Sequence, residues 1–235
     1  MIDKKTQTLD NLDFDQGEVL LIDKIFHVSS FSVVGRIKRI LQIKKAGHAG
    51  TLDPFATGLL IICTGKMTKK INEFQDLPKT YTGTIKLGEK TPSMDGETNS
   101  SVIAPFDHIT YEQIIEAKRK FEGEIEQTPP MYSAIKQNGK SLYKLARKGR
   151  EVHREPRKVN VTKFEITDVD LPDIKFEVEC SKGTYIRVLA NDLGDELGCG
   201  AYLSELRRTK IGSYSVEDAL LTDELKELRE VDASI

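Results

Sequence analysis

The chain has 235 residues, 35 Lys and Arg against 37 Asp and Glu, and a hydrophobic share of 38%, the balance of a globular chain with a substantial core rather than a disordered or fibrous one. Its longest apolar run, Leu59 to Cys63, falls far short of the ~18 residues of a membrane span. No apolar signal segment opens the chain, and three scattered cysteines, Cys63, Cys180 and Cys199, exclude a disulfide scaffold and a CxxC site and suit a reducing cytoplasm.

EVLLIDK (18–24) predicts a buried strand. Ser29 or Ser30 caps a helix to about Ile43, burying Val33, Val34, Ile37, Ile40 and Leu41 and showing Arg36, Lys38 and Arg39 to solvent. A Gly- and Pro-punctuated loop, GHAGTLDPFATG (47–58), precedes a short strand at 59–63. YTGTIKLG (81–88) alternates as a strand, TPSMDGETNSS (91–101) is loop, and Thr110 with Gln113 forms a capping box for a helix that stops at Gly123. IKFEVEC (174–180) alternates perfectly, and GTYIRVL (183–189) is expected to be its hairpin partner. Short helices are expected over 189–198 and 201–208. Mixing strand and helix without a strict βαβ rhythm predicts an α+β fold.

Charge is segregated along the chain. Residues 36–45 carry +5, and residues 136–158 carry nine Lys and Arg against two acids, +7. The acidic ends compensate, −3 over residues 1–20 and −5 over 215–235. A polyanion feels the local field rather than the total. The stretch 127–158, turn-rich and interleaved with Tyr132 and Tyr143, suits an arm reaching toward RNA; the alternative for either basic stretch is a solvated face.

Cofactor motifs fail. The closest P-loop candidate, Gly58 to Met67, has the wrong spacing; Leu203 stands where a dinucleotide fold needs its third glycine; and the four histidines are scattered. No metal or cofactor is expected. Asp53 stands out instead, set before Pro54 among Gly47, Gly50 and Gly58, although an Asp-Pro pair also simply starts turns. On a strand, Tyr185 and Arg187 would share one face, and that guanidinium would need water or an acid opposite it. Tyr81 is either core or a stacking platform for a base.

GHAGTLDPFATGLL resembles the catalytic signature of the bacterial tRNA pseudouridine-55 synthases, the TruB family. The likeness extends to EVLLIDK with the following SS pair, KTYTGTIKLG, TPPMYSAIKQNGKSLYKLARKGREVHREPR and SKGTYIRVLANDLGDELGCGAYLSELRR, covering about 18–212. It implies a pseudouridine synthase-like mixed, mainly antiparallel sheet flanked by helices, with 127–158 as an inserted arm. Residues 1–16 and 216–235 would be acidic tails around a 17–215 catalytic domain, with no PUA-type domain. Asp53 would be the catalytic carboxylate, paired by Arg187. Tyr81, Tyr185 and Leu206 would line the base pocket, and His48 would help displace T-loop bases. Lys24 would be a phosphate or structural contact, and Lys144, Arg147, Lys148 and Arg150 would touch RNA backbone. One departure is that the usual Pro-Gly pair after Asp-Lys is replaced by Ile25 and His27.

The implied reaction is isomerisation of uridine 55 in the tRNA T loop by base flipping, without cofactor, guide RNA or membrane, by a monomer. Two alternatives are a guide-RNA-dependent synthase and a tRNA-folding chaperone.

Overall fold

The computed structural model describes residues 1–133, 135–137 and 139–232. Ala134 and Asn138 of the expected arm, and residues 233–235 of the expected C-terminal tail, lie outside the described residues.

In chain order the first elements are strand β1 (Val19–Lys24), helix α1 (Ser30–Ile40), β2 (Ala46–His48), β3 (Thr57–Thr64), α2 (Ile71–Asp76) and β4 (Lys79–Leu87). Next come β5 (Glu89–Lys90), β6 (Ser101–Val102), α3 (Tyr111–Arg119), β7 (Gly123–Gln127), β8 (Lys136–Gln137), β9 (Lys140–Ser141) and α4 (Leu142–Ala146). The last are β10 (Arg157–Asp170), β11 (Asp173–Cys180), α5 (Ile186–Glu196), β12 (Ala201–Ile211), β13 (Tyr214–Ser215) and α6 (Thr222–Asp232). Helices and mainly antiparallel strands mix as an α+β fold requires. The chain divides into two compact units, Met1–Tyr81 with Leu206–Ile235, and Thr82–Glu205.

In the first unit β1 and β3 pair antiparallel, from Val19 opposite Cys63 to Lys24 opposite Gly58. The end of β12 runs parallel to β3, with Arg207 opposite Thr57 and Arg208 opposite Gly58. The apolar run of β3 is continuous because both its faces are covered. Leu60 and Ile62, with Leu20 and Ile22, pack under Val33, Val34 and Ile37 of α1 and Leu225 of α6. Leu59, Ile61 and Cys63 face Ala49, Ile211 and Val216 on the other side. Burial holds the Cys63 thiol up at about 11, leaving it an inert core residue.

In the second unit the strand order is β4–β11–β10–β7. β10 and β11 form the long antiparallel hairpin, and Phe164 meets Phe176 edge-on at 5.9 Å. Thr110 caps α3 with the expected capping box.

Four expectations are corrected. The hairpin partner of 174–180 is β10, whereas residues 183–189 turn at Gly183 and enter α5. Ile186, Leu189, Ala190 and Leu193, all buried, repeat at i, i+3, i+4 and i+7, a helical period that cutting the segment at Leu189 conceals. Residues 201–211 are strand rather than helix, with buried Ala201 and Leu203 alternating with half-buried Tyr202 and Ser204. A short apolar run is ambiguous between the two periods, and pairing with β3 decides it. Neither end is merely a charged tail. Ile2 bridges Leu20, and Leu220 and Leu225 are core residues, so spaced apolar side chains outweigh the net charge of those stretches.

Candidate active site

In the first unit, Asp53 lies half-buried on the loop between β2 and β3, and buried polar groups hold that loop from several directions. Ser30, in the first turn of α1, donates its hydroxyl to the Leu52 carbonyl at 2.8 Å and accepts the Leu52 N–H at 2.9 Å. Lys24, at the end of β1 and only 1% exposed, donates from Nζ to the carbonyls of Val28, Ile25 and Pro54 at 2.8, 3.0 and 3.4 Å. The His27 N–H also donates to the Pro54 carbonyl, at 2.9 Å. The backbone on both sides of Asp53 is thus fixed by the Ser30 and Lys24 side chains and the His27 N–H.

Arg208 holds the two ends of the same loop. It is 1% exposed and donates Nε to the Leu59 carbonyl at 2.7 Å and Nη2 to the Gly50 carbonyl at 3.1 Å. Its backbone lies so close to Gly58 that an added Cβ would meet the Arg208 carbonyl oxygen at 2.3 Å, and Gly58 has φ +104°. Beside it, Arg207 grips Asp23 with both terminal nitrogens, at 2.7 and 3.0 Å, a forked geometry that a lysine cannot copy.

His48 sits on β2. Burial first, and then the Arg208 charge, push its pKa below the ordinary imidazole value, and its Nδ1 is buried without a hydrogen-bond partner among the described residues. Tyr81, at the start of β4, is 9% exposed, and Leu206 is half-buried with its carbonyl 3.4 Å from the Thr57 hydroxyl. Lys24 faces inward, which fits the structural of the two roles considered for it.

In the second unit, Tyr185 is the N-cap of α5 and Arg187 lies in its first turn. They are not alternate residues of a strand, yet they still meet, the guanidinium carbon 5.6 Å from the Tyr185 ring centre. Gln127, 3% exposed, clamps Tyr185 through both of its amide atoms, accepting the Tyr185 N–H at 2.7 Å and donating to its carbonyl at 3.0 Å. Arg187 donates Nη1 to Asp95 Oδ2 at 3.3 Å, and both side chains are almost fully buried. Thr91 and Ser93 hold the Asp95 carbonyl at 2.8 and 3.2 Å. The arm shows Lys144, Arg147, Lys148 and Arg150 exposed, with the Arg147 guanidinium 4.8 Å from the Tyr143 ring centre and Tyr143 edge-on to Tyr132.

Residues 38–186 match the model of the TruB family pseudouridylate synthase N-terminal domain. The chain belongs to the TruB family. Residues 187–233 match that of the tRNA pseudouridylate synthase B C-terminal domain, so the family likeness includes α6. A Flavobacterium johnsoniae protein named tRNA pseudouridine synthase B is 51% identical over 215 residues, 88% of this chain and 94% of that one. Its namesake from Chloroherpeton thalassium is 48% identical, with 90% of each chain covered. Among solved structures, a chain from the Cbf5–Nop10–Gar1 complex matches with TM-score 0.71 and 29% identity, over 96% of this chain and 61% of that one.

Ser30, Asp95, Gln127 and Arg208 were not singled out as site residues from the sequence. Asp95 lies in a stretch whose composition reads as plain loop, and Gln127 is a lone amide at the end of a polar strand. Arg208 alone had a local sign, an Arg-Arg pair following a predicted pocket leucine. No helix among the described residues is long and apolar enough to cross a membrane.

Proposed function

We propose that this chain isomerises uridine to pseudouridine in tRNA, at position 55 of the T loop, acting alone and without a guide RNA. The C1′–N1 bond of the nucleotide breaks, the freed uracil turns, and C5 bonds to C1′ while the C5 proton is lost and N1 regains one. The net change is an isomerisation, which calls for no external oxidant or phosphoryl donor. The carboxylate must reach the sugar, so the target nucleotide leaves its stack.

The supporting observation is the concentration of buried donors on the Asp53 loop. Lys24, Ser30 and Arg208 hold the backbone within a few residues of that carboxylate. Such support lowers the reorganisation needed when charge moves during reaction. In this reading Asp53 is the reacting carboxylate, while Tyr81 and Leu206 pack on the detached base. Tyr185, fixed by Gln127, shapes the pocket, and neutral His48 meets the T-loop bases. The exposed Lys144, Arg147, Lys148 and Arg150 meet phosphates. The protein works as a monomer.

The test combines purified protein with an unmodified tRNA transcript labelled with tritium at C5 of uridine and no other component. Tritium release by the native chain, its loss in Asp53→Asn and retained tRNA binding by that variant are expected. Multiple turnovers by Asp53→Asn would overturn the assignment.

A further inference from the structure

The five residues between Lys24 and Ser30 differ from the pattern expected after an Asp-Lys pair, and they leave an aromatic face in water. Phe26 is 47% exposed and Ile25 50%. The Phe26 ring lies 3.9 Å from that of His27, tilted by 50°, and meets Phe55 edge-on at 5.9 Å. Phe55 is buried and stands two residues after Asp53. His27 adopts φ +61°, a left-handed conformation uncommon for a residue with a side chain, and its N–H is tied to Pro54. One edge of Phe26 is therefore anchored on the catalytic loop while much of the ring remains open.

A single exposed apolar side chain needs no explanation. Here the exposed ring is coupled to the Asp53 loop, and the next helix adds Phe31, 83% exposed, in its first turn. Along the sequence, the segment that carries these aromatics holds charge of one sign, with Arg36 paired to Asp223 of α6. From Ile25 to Leu52 the chain carries five Lys and Arg (Arg36, Lys38, Arg39, Lys44 and Lys45) and no Asp or Glu. Open aromatic faces in a cationic stretch match the chemistry of a single-stranded nucleic acid, whose bases stack while its phosphates seek positive charge. A membrane would use the same charges, but the substrate already brought to Asp53 is a polynucleotide with unstacked loop bases.

We infer that Phe26 is a stacking platform for a nucleobase of the tRNA that flanks the uridine delivered to Asp53. This inference rests on the synthase reading and adds a substrate contact specific to the Ile25–His27 segment. A base laid on the open face of Phe26 would be held beside the catalytic loop without a sequence-reading hydrogen bond, and His27 would extend the ring surface.

The chain contains no tryptophan, so Phe26→Trp installs a unique fluorophore at the platform. In an Asp53→Asn background that holds the substrate unreacted, titration with tRNA transcript should quench its emission saturably, at the concentration at which filter binding saturates. Inorganic polyphosphate, which has charge but no bases, should leave the emission unchanged. Phe26→Leu keeps apolar cover over Phe55 but offers no ring face, so tRNA affinity should fall several-fold to about a hundredfold, the range set by one base–aromatic stack. Matched thermal melting of Phe26→Leu and the native chain separates this loss from misfolding.

Emission indifferent to bound tRNA, quenching by polyphosphate alone, or native affinity in Phe26→Leu would overturn the platform and leave Phe26 as a cover for Phe55. Turnover by Asp53→Asn would instead strike the catalytic assignment, and the Phe26 emission and affinity would still report stacking.

Discussion

Arg208 donates from Nη2 to the carbonyl of Gly50 at 3.1 Å, three residues before Asp53. Its Nε meets the Leu59 carbonyl, at the far end of the loop, at 2.7 Å. A single buried guanidinium thus ties together the two ends of the Asp53 loop. The close approach of Gly58 to the Arg208 backbone allows this, because any larger residue there would push the strand pair apart. Arg208 acts through the loop, so it is a positioning residue.

Arg208→Ala leaves the buried Leu59 carbonyl and the part-buried Gly50 carbonyl without this donor, a loss of about 1–3 kcal/mol of stability from the usual penalty for an unpaired buried group. Arg208→Lys is the sharper test, since an ammonium keeps the charge but cannot serve two carbonyls in the guanidinium's planar geometry. Its single-turnover rate at saturating tRNA should drop by about a hundredfold, the scale of a small misplacement of a reacting group, with tRNA affinity within about twofold of native. Chemical quench and filter binding on one preparation check both values. A native rate in Arg208→Lys would show that the loop holds its geometry without the fork.

His48 gives a pH dependence of definite sign. Burial and Arg208 lower its pKa in the folded chain, so the unfolded chain binds a proton more readily. Stability contributed by neutral His48 is therefore complete above the ordinary imidazole value and is lost as pH falls below it toward the folded value. Denaturant melts between pH 7.5 and 5, buffers chosen to span about the histidine range, should show the native chain losing stability on acidification. His48→Gln should show a shallower loss over the same interval. Equal slopes would mean that His48 is protonated at no cost when folded.

The strands with one clear period were legible from residues alone. IKFEVEC in β11 alternates and allows one reading, and the capping box of Thr110 and Gln113 marks where α3 begins. What escaped were segments whose short apolar runs fit two periods, GTYIRVL and AYLSELRR, where neighbouring strands and the residues beyond the window decide. The site divided along the same line. Asp53 is flagged by its Gly- and Pro-rich surroundings, because a loop that must bend sharply advertises itself in composition. Its support does not, because Ser30 acts through the Leu52 backbone, brought close only by the fold. The Arg187 partner Asp95 lies 92 positions away, and a lone acid in a polar loop carries no local mark of such burial.

The arm tests how the chain holds tRNA. Lys144, Arg147, Lys148 and Arg150 lie exposed on and just after α4, and Arg147 is braced over the Tyr143 ring. Each phosphate neutralised by such a group releases counterions, so the log of the affinity falls against the log of salt with a slope of about −0.7 to −0.9 per contact. Replacing all four with alanine should weaken tRNA binding and flatten that slope by about 3, the sum of four contacts. The single-turnover rate at saturating tRNA should stay native, because phosphate contacts carry affinity and register, while in the proposed reading Asp53 carries the chemistry. A salt titration of binding and a saturated chemical quench measure the two sides separately. If the slope were unchanged, these four cations would be a solvated face, and the phosphate contacts would have to come from elsewhere, with the 36–45 stretch of α1 and the turn after it the next to test.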